Sequence, residues 1–148
     1  DGVFITVGGG GLISGIGHYL KSVNSSIQVI GCSPKNSSVM INSLDKSDIV
    51  NTTSKDTLSD GSAGGVENGS ITHDLCKRYI DKTCLVHEQE IALQISKTLK
   101  EEKIIIEGAA AVAIASFIKM RKDIRDLKNI VIIVCGGNID KETLKSVL

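Results

Sequence analysis

Four consecutive glycines, Gly8, Gly9, Gly10 and Gly11, lie between an apolar run (Val3, Phe4, Ile5, Thr6, Val7) and a helical pattern that opens at Leu12. Strand, glycine turn and helix in that order make a general anion cradle. Backbone N–H groups of a side-chain-free loop can converge on one oxyanion, and the helix N-terminus adds the positive end of its dipole. The plainer alternative is a tight turn with no ligand. A second glycine turn, Cys135-Gly136-Gly137-Asn138, follows the run Ile130-Val131-Ile132-Ile133-Val134. Ligands of open parallel sheets lie beyond the carboxyl ends of the strands. The two turns therefore meet at one site if their strands belong to one sheet, and Asp60-Gly61 and Glu107-Gly108 are further pairs placed to line it. Taken alone, Cys135 reads as a small buried apolar residue. Its position between a strand and Gly-Gly-Asn favours the site over that reading.

Other chemistries lack their residues. The GxxxxGK[ST] pattern is absent, which excludes a P-loop. A GxGxxG spacing fits only loosely, and Ser33 stands at the end of the second strand where a dinucleotide site wants an acid. No GxSxG elbow occurs. His18, His73 and His87 have no evident Ser or Cys partner and read as surface or internally satisfied residues. Lys100-Glu101-Glu102-Lys103 is a solvated helix end.

The elements that must position these groups follow from periodicity. Residues 3–7 form a strand and residues 12–22 a helix, with Leu12, Ile16 and Leu20 on one face. Residues 27–32 form a second strand, ended by Ser33-Pro34, and residues 36–41 a short helix. Residues 42–58 are polar and aperiodic and read as a surface loop, and the segment 58–65 as turns. Thr72 is placed to cap a helix over 73–80, with Leu75, Cys76, Tyr79 and Ile80 inward. A brief strand follows at 83–86, a strong helix at 88–101, and a further β-rich run at 104–106. Glu107 opens a helix reaching residue 122, whose Gly- and Ala-rich start allows close approach of backbone or ligand. Residues 130–134 show no alternation, the pattern of a strand buried on both faces. Asp140 caps a last short helix carrying Leu144, Val147 and Leu148. Strands alternating with helices give an α/β fold, a parallel sheet with helices on both faces, in a single domain over residues 1–148.

Composition narrows the partners. The 148 residues are 41% hydrophobic and 23% charged, with zero formal net charge, and this balance suits one globular domain. Neutral charge and an aromatic content of 3% argue against nucleic acid as partner. No apolar run approaches the roughly 18 residues of a membrane span. Four cysteines with neither a CxxC pair nor zinc spacing read as reduced thiols, the state expected in the cytoplasm. Asp1-Gly2 opens directly onto a strand without Met, which reads as a piece of a longer polypeptide.

Five ordered segments carry a resemblance to a family. They are Val7-Gly8-Gly9-Gly10-Gly11-Leu12-Ile13-Ser14-Gly15, Ile30-Gly31 with Pro34, Asp56-Thr57-Leu58-Ser59-Asp60-Gly61, Ile106-Glu107-Gly108-Ala109-Ala110 and Cys135-Gly136-Gly137-Asn138-Ile139-Asp140. In this order the chain resembles the C-terminal half of the serine/threonine dehydratases, fold-type II pyridoxal 5′-phosphate enzymes related to serine racemase and the tryptophan synthase β-subunit. The resemblance implies pyridoxal 5′-phosphate as cofactor and an L-hydroxy-amino acid as substrate, with products a 2-oxo acid and ammonia. Racemisation on the same scaffold, or a domain without catalysis, are the alternatives. It further implies that Gly8, Gly9, Gly10, Gly11 and Leu12 bind the cofactor phosphate, that Cys135 faces the pyridine nitrogen, that Glu107 lies near the ring, and that Asp60 and Gly61 form a loop beside ring and phosphate. A thiol is a weak partner for a pyridine nitrogen and leaves the ring a mild electron sink, suited to β-elimination. Two departures stand out. The family's Schiff-base lysine, in a Ser-x-Lys motif, and its substrate-carboxylate clamp would precede Asp1, so no catalytic residue is expected within the chain. The divalent-cation positions of some members hold Ser33 and Val39 here, so no metal site is expected either. The resemblance thus implies a chain that needs the N-terminal half of the same enzyme to work, and a full-length homo-oligomer.

Overall fold

The computed structural model describes residues 1–46, 48–50 and 52–148. Its centre is a four-stranded parallel sheet of β1 (Gly2–Thr6), β2 (Gln28–Pro34), β3 (Lys82–Val86) and β4 (Ile130–Ile132), in the order β3-β2-β1-β4. In register, Gly2 lies beside both Gln28 and Ile130, and Ile30 lies beside Lys82. Helices α1 (Gly11–Val23), α2 (Val39–Lys46), α3 (Ile71–Tyr79), α4 (Glu88–Glu102), α5 (Gly108–Met120) and α6 (Lys141–Ser146) complete the fold, with one turn of 3₁₀ helix at Asp60–Ser62.

Two cores flank the sheet because successive strand side chains point to opposite faces. Val3, Ile5, Val7 and Val29 pack with Ile13 of α1, Val39 and Met40 of α2 and Cys76 of α3. Phe4, Ile30, Cys32 and Val86 pack with Ile91 and Ile95 of α4 and the small residues of α5. The expected parallel sheet with helices on both faces is therefore present. Phe4 and Phe117 meet edge to face at 5.6 Å between centroids, which pins α5 across β1.

Four elements differ from the sequence reading. The helix expected at 36–41 runs instead over Val39–Lys46 and takes up the start of the expected 42–58 loop, while Ser47 and Asn51 lie outside the described residues. It is amphipathic only from Val39 on, where Val39, Met40, Ile41 and Ser43 turn inward. The helix expected at 73–80 begins at Ile71 with Ser70 as N-cap, so Thr72 lies in its first turn and caps nothing. Residues 104–106 form no strand. Ile104 and Ile105 are half exposed, only Ile106 enters the core, and the backbone bond to the turn after β4 comes from the next residue, Glu107 N–H to the Gly136 carbonyl at 3.1 Å. The last strand stops at Ile132 and lies at the sheet edge, with Val131 55% exposed, so its apolar run does not reflect burial on both faces within this chain.

Candidate functional site

At the carboxyl end of β1 the chain enters the glycine turn, and each glycine there has its own surroundings. A Cβ on Gly8 would press on the Ser62 carbonyl at 2.9 Å. Gly10 has φ +85°, which L side chains rarely adopt, and a Cβ there would meet Cys76 Sγ at 2.8 Å and Met40 Cε at 2.9 Å. Gly9 and Gly11 have nothing within 4 Å on the Cβ side. The loop is thus clamped at Gly8 and Gly10 and open at Gly9 and Gly11. Gly10 is the N-cap of α1, so the first N–H groups of that helix have no partner within it. Thr6 Oγ1 donates to the Ala109 carbonyl at 2.6 Å, tying the end of β1 to the first turn of α5. The Gly- and Ala-rich start of α5 permits this: a Cβ on Gly108 would fall onto the Leu58 carbonyl, and Ala109, Ala110 and Ala111 are all buried.

These elements enclose a cavity of about 260 Å³. Of the residues expected at the site, Gly8, Gly9, Gly10, Gly11, Leu12, Gly61, Glu107 and Cys135 line it together. The carboxyl ends of β1 and β4, neighbours in the sheet, do meet there. Asp60 does not line it. It borders a neighbouring cavity of about 370 Å³ that also touches Asp56, Glu88, Glu107 and Asp140. That larger cavity is ringed with carboxylates, which repel a phosphate. The smaller one offers backbone N–H groups and two helix N-termini, and it is the better anion site. Thr6, Ser62 and Ala109 also line it and were not singled out from sequence. Thr6 was identifiable as a polar residue closing an apolar strand immediately before the glycines.

Glu107 stands between the two cavities and lines both. Its Oε2 accepts from the Asn138 N–H at 3.0 Å, and its own N–H donates to the Gly136 carbonyl. A Cβ on Gly136 would fall onto the Glu107 carboxylate, and one on Gly137 would meet the Ile105 carbonyl at 3.0 Å. The Gly136-Gly137 pair is required because Glu107 and Ile105 already occupy that space. Partial burial and the nearby Glu107 carboxylate push the Cys135 thiol above its ordinary pKa, even though it retains exposed surface.

The positions compared with a cation site serve the fold. Ser33 is fully buried and donates to the Val7 carbonyl at 2.8 Å, and Val39 is part of the core. None of the three histidines lines the glycine cavity: His18 Nδ1 lies 2.7 Å from the Tyr79 hydroxyl, His73 is buried on α3, and His87 caps α4. Among the described residues no helix is long and apolar enough to cross a membrane.

Known proteins resemble this chain over nearly its whole length. Residues 1–136 match the family model described as "Pyridoxal-phosphate dependent enzyme". The chain is 38% identical over 146 residues to an L-threonine ammonia-lyase of Thermotoga maritima, covering 99% of this chain and 36% of that protein. It is 36% identical over 148 residues to the catabolic L-threonine dehydratase TdcB of Staphylococcus aureus, covering 99% of this chain and 42% of that protein. Among solved structures, the processed threonine deaminase isoform 2 of Solanum lycopersicum superposes with a TM-score of 0.90 at 34% identity, over 99% of this chain and 43% of that one. A serine racemase of Dictyostelium discoideum gives 0.85 at 36% identity, over 95% and 44%. The chain therefore spans less than half the length of these relatives. The glycine cradle, the Cys135 turn and a family match over residues 1–136 lead to one assignment: the chain belongs to the pyridoxal-phosphate dependent enzyme family, in its fold-type II branch.

Proposed function

We propose that this chain forms the cofactor-holding part of an enzyme that eliminates the β-hydroxyl of L-threonine or L-serine, giving a 2-oxo acid and ammonia. The observation that carries the reading is the convergence of the glycine loop, Glu107 and Cys135 on one cavity. The names of the two relatives matched over 99% of the chain, a threonine ammonia-lyase and a threonine dehydratase, support the reaction class.

The surroundings of the four glycines support a phosphate at the loop. Gly9 and Gly11 leave room for phosphate oxygens at the loop, while Gly8 and Gly10 are held from behind. In this reading the N–H groups of residues 8–12 hold the phosphate, and the Gly61 turn closes over it. Bound pyridoxal 5′-phosphate supplies the electron sink that lets the substrate Cα proton leave. Cys135, at the cavity wall, would be the weak hydrogen-bond partner of the cofactor's pyridine nitrogen. Partial burial and the Glu107 carboxylate both raise the Cys135 pKa and so favour the neutral thiol. Glu107 holds the turn that carries Cys135. Asp60 orders its own turn by accepting from the Gly61 N–H at 2.8 Å and lines the adjacent cavity.

Among the described residues no lysine lines the cavity. We place the lysine that anchors the cofactor, and the clamp for the substrate carboxylate, in polypeptide outside residues 1–148, so these residues alone turn over no substrate. We also place the enzyme in the cytoplasm, where its four free thiols stay reduced. The test is an assay of the complete polypeptide carrying these residues with L-threonine and L-serine. Equimolar 2-oxo acid and ammonia are expected. Accumulation of the D-amino acid without 2-oxo acid would overturn the reading in favour of racemisation, the activity named for the Dictyostelium match.

A further inference from the structure

Thr72, expected from sequence to cap α3, does something else. Its hydroxyl donates to the Gly9 carbonyl at 2.6 Å, across 63 positions of sequence. Ser70 Oγ lies 2.8 Å from the same hydroxyl oxygen. The direction of this pair follows from donor arithmetic. A carbonyl only accepts, so the single Thr72 proton goes to Gly9, and the proton in the second contact must come from Ser70. One turn further along α3, Cys76 Sγ approaches the Gly10 carbonyl at 3.8 Å. The Gly10 carbonyl also accepts the first helical bond of α1, from the Ser14 N–H at 3.0 Å, so α1 holds the Gly10 carbonyl while α3 holds that of Gly9.

In a trans peptide the carbonyl of one residue and the N–H of the next point to opposite sides, and the described chain has no cis peptide. Fixing the Gly9 carbonyl on Thr72 therefore turns the Gly10 N–H away from α3, while the Gly10 carbonyl, bonded to Ser14, leaves the Gly11 N–H at the open N-terminus of α1. Gly10 and Gly11 line the cavity and no residue of α3 does, so α3 and the cavity meet the loop from different directions. Four glycines in a row would otherwise sample many orientations of these peptide planes. We infer that Thr72 is a positioning residue of the anion cradle: with Ser70 behind it, its hydroxyl locks the Gly9–Gly10 peptide so that the loop presents its N–H groups to a phosphate. The inference rests on the reading of the loop as the phosphate site.

The experiment titrates inorganic phosphate, pyridoxal 5′-phosphate and phosphate-free pyridoxal onto the complete polypeptide carrying these residues, as wild type, Thr72→Val and Thr72→Ser. Calorimetry gives affinities, and the Gly10 and Gly11 amide resonances give loop geometry. Thr72→Val keeps the shape and removes the donor, and it should weaken both phosphate ligands on the order of three- to tenfold, the worth of one net hydrogen bond. Pyridoxal binding should stay unchanged, and Thr72→Ser should restore phosphate affinity and the wild-type amide shifts. If Thr72→Val loses its circular dichroism signature, Thr72→Ala, a good helix former, takes its place. Wild-type phosphate affinity in the folded Val or Ala variant overturns the inference alone. A wild-type protein that binds pyridoxal as tightly as its phosphate ester, and no inorganic phosphate, overturns the cradle reading and the inference together.

Discussion

Glu107 meets the chain at three places: its carboxylate holds the Asn138 N–H, its N–H holds the Gly136 carbonyl, and its carbonyl accepts from Ala111 in α5. One residue thus couples the first turn of a helix to the turn that carries Cys135. The same carboxylate helps raise the thiol pKa, behind burial as the larger cause. Cys32, Cys76 and Cys84 are buried, and burial pushes Cys32 to about 12 and Cys76 to about 11. A thiol reagent near pH 8 should therefore label one equivalent in the native chain, at Cys135, and four after unfolding, counted by mass spectrometry. The pH profile of that labelling reads the Glu107 charge. Glu107→Gln keeps an acceptor for Asn138 and removes the charge, so the apparent thiol pKa should fall and labelling at fixed pH should accelerate. An unchanged profile would show that the carboxylate does not act on the thiol.

At the scale of elements, α5 depends on lacking side chains where it crosses the chain at residue 58. Gly108 packs against the Leu58 carbonyl, and a backbone group cannot rotate out of the way as a side-chain tip can. Gly108→Ala should cost about 1–3 kcal/mol, the usual range for overpacking, seen as a lower denaturant midpoint. Gly15 is the internal control. It lies in α1, exposed, with no positive φ and nothing within 4 Å of the place a methyl group would take. Gly15→Ala should stabilise by about 0.5–1 kcal/mol through helix propensity. Equal effects at the two positions would mean that the contact with Leu58 does not constrain α5.

For the whole molecule, three layers leave the thiols of Cys32 and Cys76 protonated inside the fold while an unfolded thiol titrates near 9.0. A group whose folded pKa is raised binds its proton more tightly in the native state, so its contribution to stability is complete below the unfolded pKa and is lost as pH rises toward the folded value. Unfolding free energy should hold across neutral pH and decline from about pH 9 to 11, at up to about 1.4 kcal/mol per pH unit for each such thiol. Chemical denaturation at stepped pH measures this, and replacing Cys76 by Ala should remove part of the slope. The sheet also has an uncovered flank: Val131, Val134, Ile104 and Ile105 are each at least half exposed along or beside β4, whose only sheet neighbour among the described residues is β1.

The sequence by itself determined the alternation of strand and helix, the long helices α4 and α5, and the two glycine turns, because each is written in local terms: period-3.6 apolar residues, β-branched runs, and runs of glycine. It also placed Gly8–Gly11 and Cys135 at one site, since strand ends of a parallel sheet share an edge. Local patterns carried less where distant contacts decide. Residues 104–106 look like a strand, yet Ile105 serves a turn and only Ile106 is buried, so β propensity yielded to tertiary context. Thr72 has the residue type of a helix cap, and only the folding of α3 against the glycine loop gave its hydroxyl a carbonyl 63 positions away. Asp60 and Gly61 are adjacent in sequence, but the 3₁₀ turn sends them to different cavities. Periodicity and glycine chemistry act over a few residues and are legible in a string. Which donor meets which carbonyl is fixed only when the sheet and its two helical layers close.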